Sequence, residues 1–358
     1  MGWIFYDEPL STQWDELVKR TPQARFVHLI GFKKVVEKVY HLKPCYLSYI
    51  DKGEIFGLFP SFFHQSFFFG KKIISQPFCE YGGVLFHPEV SLEKKLVMIQ
   101  EFCLTIKKIL NLKSISALEM RHPLDILENK VEIFKSQKLF FRSWLKIEAP
   151  EVFWKKLDPK ERNIIRKAQA YDLKVEIISD DENLKEKFYP LYLRTMKRLG
   201  SPAHPFIYFL SLFQCLKDYI RIFIISFKGR PVAGLIAWTV GQTSHVTDLV
   251  SDERFFWVKP NDLAIWEFLN WAYYQGVKIF DFGPIRYRGQ EIFKKKWLMT
   301  IEDYYYVYLF KEAKKMAKAK NIFSDSLVIS LGSFLWKTFM PLTLNAWVGQ
   351  YMRRQIAL

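Results

Sequence analysis

The sequence predicts a mixed α/β (α+β) chain of two domains, each a mostly antiparallel sheet flanked by helices, with a C-terminal helical extension. Three observations carry that expectation. The 358 residues suffice for two domains at about 150 residues each. Half of the residues are hydrophobic and 25% are charged, which fits a packed core under a solvated surface and excludes a disordered or collagen-like chain. The second half runs as three strands joined by tight turns, then a helix, then a strand, and the first half echoes it more weakly. The expected boundaries are 1–150, 151–310 and 311–358.

In chain order, 45–50 (CYLSYI) and 54–60 (EIFGLFP) read as strands around the turn Asp51-Lys52-Gly53. Across 92–110, Leu96, Ile99, Phe102, Cys103 and Ile106 repeat at the spacing of one helical face. Strands follow at 115–120 and 143–147, then a charged helix over 151–170. Residues 220–227 and 232–239 are strands joined by Lys228-Gly229-Arg230-Pro231, with a third at 243–250. Pro260-Asn261-Asp262 opens a helix, because short polar side chains accept its first free N–H groups. Leu263, Trp266, Leu269 or Asn270, and Tyr273 stripe it, Gly276 ends it, and 278–282 is a further strand. Residues 311–320 then hold five lysines against one glutamate, and 322–350 are apolar and aromatic with only Asp325 and Lys337 charged. Pro341 and the scattered Ser, Gly, Thr and Asn argue against a spanning helix, which needs about 20 apolar residues. An interfacial or protein-docked helix pair is expected.

Lysine and arginine total 53 against 37 acidic residues, a net charge of +16. Such a surplus favours phosphate-bearing partners (nucleic acid, nucleotide-activated sugars, an anionic membrane face) without choosing among them. Aromatics reach 17%, enough for some rings to line a cleft or a surface. Cys45, Cys79, Cys103 and Cys215 are widely spaced with no Cys/His cluster, so no metal site and no disulfide framework is expected, only reduced, buried thiols of a cytoplasmic protein. The N-terminal MGWIFYDEPLSTQWDEL lacks the basic flank and apolar run of a signal peptide, and Tyr6 breaks the myristoylation pattern.

Several residues are candidates for a site. Lys294, beside Lys295 and Lys296, offers positive charge to a phosphate or an oxyanion, or else forms a solvated basic edge. Asp281 is placed to take a proton from an amine, or to brace the turn before Gly283 through an Asx bond, with Asp248 a second base candidate. Arg286 and Arg288 sit between Gly283 and Gly289 after a strand, where Arg clamps phosphate bidentately. Tyr81-Gly82-Gly83 lets backbone approach a ligand, or simply turns. Arg121 and His122 follow a strand and offer an acceptor-binding pair. Arg162, Arg166 and Lys167 share one helical face, a phosphate-reading surface or a solvated one.

These segments together resemble the FemAB-like branch of the GNAT acyltransferase superfamily, the exosortase- and exopolysaccharide-associated group in particular. The resemblance rests on the motifs Tyr81-Gly82-Gly83, Arg121-His122, Arg162-Asn163-Ile164-Ile165-Arg166, Leu199-Gly200-Ser201-Pro202, Asn261-Asp262-Leu263, Phe280-Asp281-Phe282-Gly283 and Phe293-Lys294, in that order, and on the tail MPLTLNAWVGQYMRR, over about residues 75–358. It implies tandem GNAT-like domains with substrates in a cleft between them, and transfer of an acyl or aminoacyl group onto an amine of a cell-envelope or exopolysaccharide precursor. It implies no tightly bound cofactor; the donor is a co-substrate, aminoacyl-tRNA or an acyl thioester. The partners implied are a small-molecule or lipid-linked glycan precursor and tRNA, at the inner face of the membrane. Lys294 takes the place of the Lys in the family's FK motif, which contacts the donor, and Asn261 falls in a substrate-binding segment. The chain departs from acetyl-CoA users at 251–263 (SDERFFWVKPNDL), which holds no glycine where they carry a glycine-rich pyrophosphate loop, so acetyl-CoA binding in the usual manner is not expected. The other reading is a non-catalytic nucleic-acid- or membrane-binding protein that keeps the fold.

Overall fold

The computed structural model describes residues 2–67, 69–123, 126, 133–311 and 326–357. The lysines of 312–320, together with Phe323, lie outside them. The chain divides into two compact units, Met1–Leu139 with Tyr304–Gly332 and Tyr351–Leu358, and Phe140–Asp303 with Ser333–Gln350.

The first unit begins β1 (Gly2–Phe5), α1 (Ser11–Arg20), α2 (Ile30–Tyr40), β2 (Lys43–Pro44), β3 (Leu47–Asp51) and β4 (Glu54–Phe59). It continues β5 (Phe62–Ser66), β6 (Gly70–Ile74), β7 (Leu85–Phe86), α3 (Leu92–Leu112) and β8 (Ala117–Arg121). One sheet has the order β1-β3-β4-β7; β2, β5, β6 and β8 form a second row. The hairpin expected around residue 52 is β3–β4, paired antiparallel. β6 and β8 run parallel, and α3 is the crossover between them. Ser91 caps α3 by accepting the Lys94 N–H, and Ile99, Phe102, Cys103 and Ile106 are buried as their spacing required. Leu96 differs: it is 38% exposed, at the edge of the stripe.

The second unit is built from β9 (Lys135–Lys146), α4 (Pro150–Lys156), α5 (Pro159–Ala170), β10 (Leu173–Ile178), α6 (Tyr189–Leu199) and α7 (Phe206–Cys215). Then come β11 (Ile220–Phe227), β12 (Arg230–Val240), β13 (Thr243–Ser251), α8 (Pro260–Tyr274), β14 (Ile279–Ile285), α9 (Arg288–Lys295) and β15 (Thr300–Phe310), whose residues from Tyr304 on belong to the first unit and pair there with β8. The helices α10 (Ser326–Phe339) and α11 (Leu342–Ile356) close the chain. The sheet order is β10-β11-β12-β13-β14-β9, antiparallel except for β13 and β14, which α8 connects. Phe223, Ile225, Leu235 and Val246 pack beneath Leu263, Phe268, Leu269 and Ala272 of α8. That helix is apolar almost all round, the pattern of a buried helix rather than of one with a single apolar stripe.

Three local expectations need correction. The charged helix over 151–170 is two helices, because Asp158 accepts the Lys160 N–H and starts a new one at Pro159, whose ring lacks an N–H. The start of α8 is not side-chain capped: Lys259, at φ 59°, holds the cap position, while Asn261 donates to Ser251 Oγ and Asp262 pairs with Lys296. All four cysteines are free, and Cys215 is exposed rather than buried.

Candidate active site

The register of β13 against β14 ends at His245 opposite Asp281. Beyond it β13 continues to Ser251 beside β12, while β14 breaks register with β9 between Asp281 and Pro284. Two parallel strands therefore part inside the sheet, and the regular ladder is interrupted at the fork between them.

Four residues shape its floor. Gly283 has φ 65°, and a Cβ there would sit 3.4 Å from His245 Nε2, so glycine suits both the turn and the close ring. The buried Asp281 carboxylate accepts the Gly283 N–H at 2.9 Å. Lys294, buried on α9, donates to the carbonyls of Phe282, Gly283 (3.3 Å) and Pro284 (2.9 Å), and its Nζ lies 4.6 Å from the Phe282 ring. Ser143 Oγ adds a 3.0 Å bond to the Gly283 carbonyl. An ammonium has three donors, and here it gathers three successive carbonyls at the break in the β14–β9 ladder. The basic-edge reading of Lys294 is thereby set aside: it lies on a helix, inside. Lys295 is exposed and pairs with Glu291; Lys296 bridges Asp262 and Glu161, tying α8 to α5.

At the far end of β13 lies a basic cleft of about 510 Å³ lined by Arg194, Lys197, Arg198, Arg254 and Lys337. Its centre is Asp252, 3% exposed, which accepts from Arg254 Nε (2.9 Å) and Nη2 (2.5 Å) and lies 3.7 Å from Arg194 and 3.6 Å from Arg230. The hydrogen bond from Arg254 holds the Asp252 carboxyl below its usual range, against the opposing effect of burial. One carboxylate cannot saturate three guanidiniums of five donors each, so donors remain for an anion. Six cations (these five and Arg230) stand here against the carboxylates of Asp252 and Glu253. Glu253–Val258 is a 3₁₀ turn and α8 opens on a proline, so the cradle is made of side chains rather than of glycine amides.

The structure brings Asp281, Lys294, Arg286 and Arg288 to the β14–α9 corner, with Arg286 and Arg288 exposed and Arg288 the first residue of α9. Asn261 sits at the basic cleft's edge through its bond to Ser251. Asp248 is half-buried on β13 and accepts from Thr247 Oγ1 at 2.7 Å. Arg162 is half-buried, and Arg166 is exposed over the Trp154 ring. The first unit's candidates are occupied internally. Arg121 is 1% exposed and donates to the carbonyls of Cys79 (2.9 Å) and Ala357 (2.5 Å), with Glu119 at 3.5 Å. His122 stacks on Tyr304 at 4.9 Å and accepts the Tyr305 N–H, and the Tyr81 ring packs edge-on against both. A Cβ on Gly82 would strike Ser75, and one on Gly83 would strike Pro123 at 2.4 Å, so these glycines serve close packing. Sequence reasoning missed His245, Asp252 and the arginines at 194, 198, 230 and 254. The legible signals were Arg194 and Arg198 at i, i+4 on one helix and the charged triplet Asp252-Glu253-Arg254 after a strand.

Residues 160–295, which include Asp252, Asp281 and Lys294, match the acetyltransferase (GNAT) domain family. Among solved structures the chain is similar to FemX, at 15% identity and a TM-score of 0.68, over 88% of this chain and 99% of that one. It is similar to L-PGS from Bacillus licheniformis (12%, TM-score 0.52, 84% and 95%) and to a tandem GNAT protein from the clavulanic acid biosynthesis pathway (10%, 0.52, 87% and 98%). No curated protein sequence matches the chain. The fold is a GNAT-like mixed α/β fold of mostly antiparallel sheet flanked by helices.

Proposed function

We propose that the chain is an acyltransferase of FemAB-like type that moves an acyl or aminoacyl group from a phosphate-bearing donor onto an amine of a cell-envelope or exopolysaccharide precursor. One observation carries this reading: a strand fork with a buried lysine at its floor lies on the same strand as an arginine-walled cleft. The cleft suits the phosphates of a donor, either aminoacyl-tRNA or an acyl thioester, and the fork suits the acyl carbon. Attack by the amine forms the new C–N bond, the leaving oxygen or sulfur departs with the electron pair, and the amine's proton goes to a carboxylate. Asp281 or Asp248 is the acceptor of that proton, and Lys294, by exchanging one carbonyl for the developing oxyanion, stabilises it. Arg286 and Arg288 at the corner, Asn261 at the cleft, and Arg162 and Arg166 on α5 extend the basic surface toward the substrates. Tyr81, Gly82, Gly83, Arg121 and His122 fall to packing in this scheme. The protein would work in the cytoplasm, at the membrane face where a lipid-linked acceptor is presented.

The test is a donor screen with an amine acceptor, read by mass spectrometry. Product from aminoacyl-tRNA or an acyl thioester supports the reading, and absence of product from every donor with intact binding overturns it. Because glycine amides are missing from 251–263, acetyl-CoA is expected to bind weakly or not at all in micromolar calorimetry. A tight stoichiometric isotherm would show that the arginines replace the glycine loop outright. The competing non-catalytic reading draws on the same floor: the Lys294 ammonium is already bound by three carbonyls, and Asp281 by an N–H. Salt-sensitive nucleic-acid or vesicle binding without turnover would favour it.

A further inference from the structure

Within the second unit, α10 and α11 are anchored by a few polar contacts. Ser333 Oγ donates to the Leu199 carbonyl at 3.3 Å, Asn345 Oδ1 accepts both the Ala203 N–H and Trp336 Nε1 at 3.1 Å, and Asn345 is fully buried. Ser333 and Trp336 are three apart, so they mark one face of α10, and Asn345 marks the matching face of α11. Turned away from these anchors are Phe334 (61% exposed), Phe339 (72%), Leu335, Leu344 and Trp347 (76%). A folded chain rarely leaves several large apolar groups on adjacent helices in water without an occupant for them.

We propose that this face rests on an anionic lipid surface, with the Phe and Trp side chains in the headgroup layer. The charge decides the occupant. From 326 to 357 the sequence has Lys337, Arg353 and Arg354 and no acidic residue, and the five lysines of 311–320 precede it. An apolar protein partner would need no such one-sided charge, whereas anionic headgroups attract it, and Trp and Phe favour the boundary of headgroup and chain. The helices have 14 and 15 residues, about 21–23 Å at 1.5 Å each, short of the roughly 30 Å of a bilayer core. No helix among the described residues is long and apolar enough to cross a membrane. The surface would therefore lie on the bilayer, flat, without spanning it.

This rests on the membrane-side location in the proposed function and not on its transfer chemistry, so the experiment reads binding alone. Full-length protein is sedimented with vesicles of phosphatidylcholine containing one-quarter phosphatidylglycerol, and with phosphatidylcholine alone. Binding is expected to the anionic vesicles only, and to weaken with salt. Phe334→Ser with Trp347→Ser is expected to reduce it about tenfold or more, and Lys337→Ala about fivefold, with the melting temperature held because these side chains face outward. Protein that stays in the supernatant with anionic vesicles at low salt overturns the proposal. So does equal binding by the double variant, and so does a self-associated species in light scattering that the double variant dissolves, since a second copy would then cover the face. Failure of turnover in the donor screen would leave the binding result untouched.

Discussion

The two units share a device, a helix crossing between parallel strands (β6–α3–β8 in one, β13–α8–β14 in the other), yet treat charge in opposite ways. At the end of β8, Lys72 meets Glu119 at 2.7 Å and Arg121 is enclosed, its donors directed at backbone carbonyls. Burial alone would raise the Glu119 carboxyl, but Lys72 and Arg121 together hold it below its ordinary range. At the end of β13, Asp252 is just as buried, but its three arginines keep 41–59% of their side chains in solvent. The same topology thus yields a closed ion network in one unit and an open basic cleft in the other. The difference lies in whether the cations around a buried carboxylate keep donors to spare.

The comparison breaks most readily at Arg121. Arg121→Ala strands Glu119 beside a single lysine, and is expected to destabilise the protein by about 3–5 kcal/mol in urea unfolding while leaving pyrophosphate binding by the folded fraction unchanged. Undiminished stability would mean that Arg121 is not structural. Next in size is Lys294→Ala, which is expected to lower turnover about 100-fold with the proposed donor, more than Lys295→Ala or Lys296→Ala. Equal turnover of the three variants removes Lys294 from the chemistry.

Arg194→Ala and Arg254→Ala are expected to weaken binding of inorganic pyrophosphate roughly tenfold each, with little change in melting temperature, because exposed pairs contribute little to stability. A large loss of stability would place the second cluster in the same category as the first. A further expectation concerns pH. His64, buried in the first unit, has Nε2 2.8 Å from the Arg354 carbonyl, and burial pushes its pKa down to about 4. Between about pH 6.5 and 4 the unfolded chain binds a proton that the folded His64 refuses, so stability falls as pH drops through that window. His28, pushed by burial to about 3, acts with the same sign. His64→Gln is expected to remove about 1.4 kcal/mol per pH unit from the slope of unfolding free energy there. An unaltered slope would show that His64 is protonated in the folded state.

The sequence by itself determined the elements whose signals are local. The β3–β4 hairpin follows from Asp51-Lys52-Gly53, α3 from the spacing of Ile99, Phe102 and Ile106, and the strand–helix–strand order around α8 from its apolar run between two turns. The net charge of +16 is likewise a property of composition alone. What only the tertiary structure decided is which charged residues are available. Lys294 and Lys295 are neighbours in one helix, but the rotation of about 100° per residue sends one to three buried carbonyls and the other to solvent. Arg194, Arg230 and Arg254 come from three separate elements and meet only because the sheet sets their strands and helix around Asp252. Arg121 reads in sequence like a ligand-binding arginine, and its enclosure depends on Ala357, 236 positions away. Charge is a property of the residue, while its availability depends on long-range packing that a local pattern does not encode.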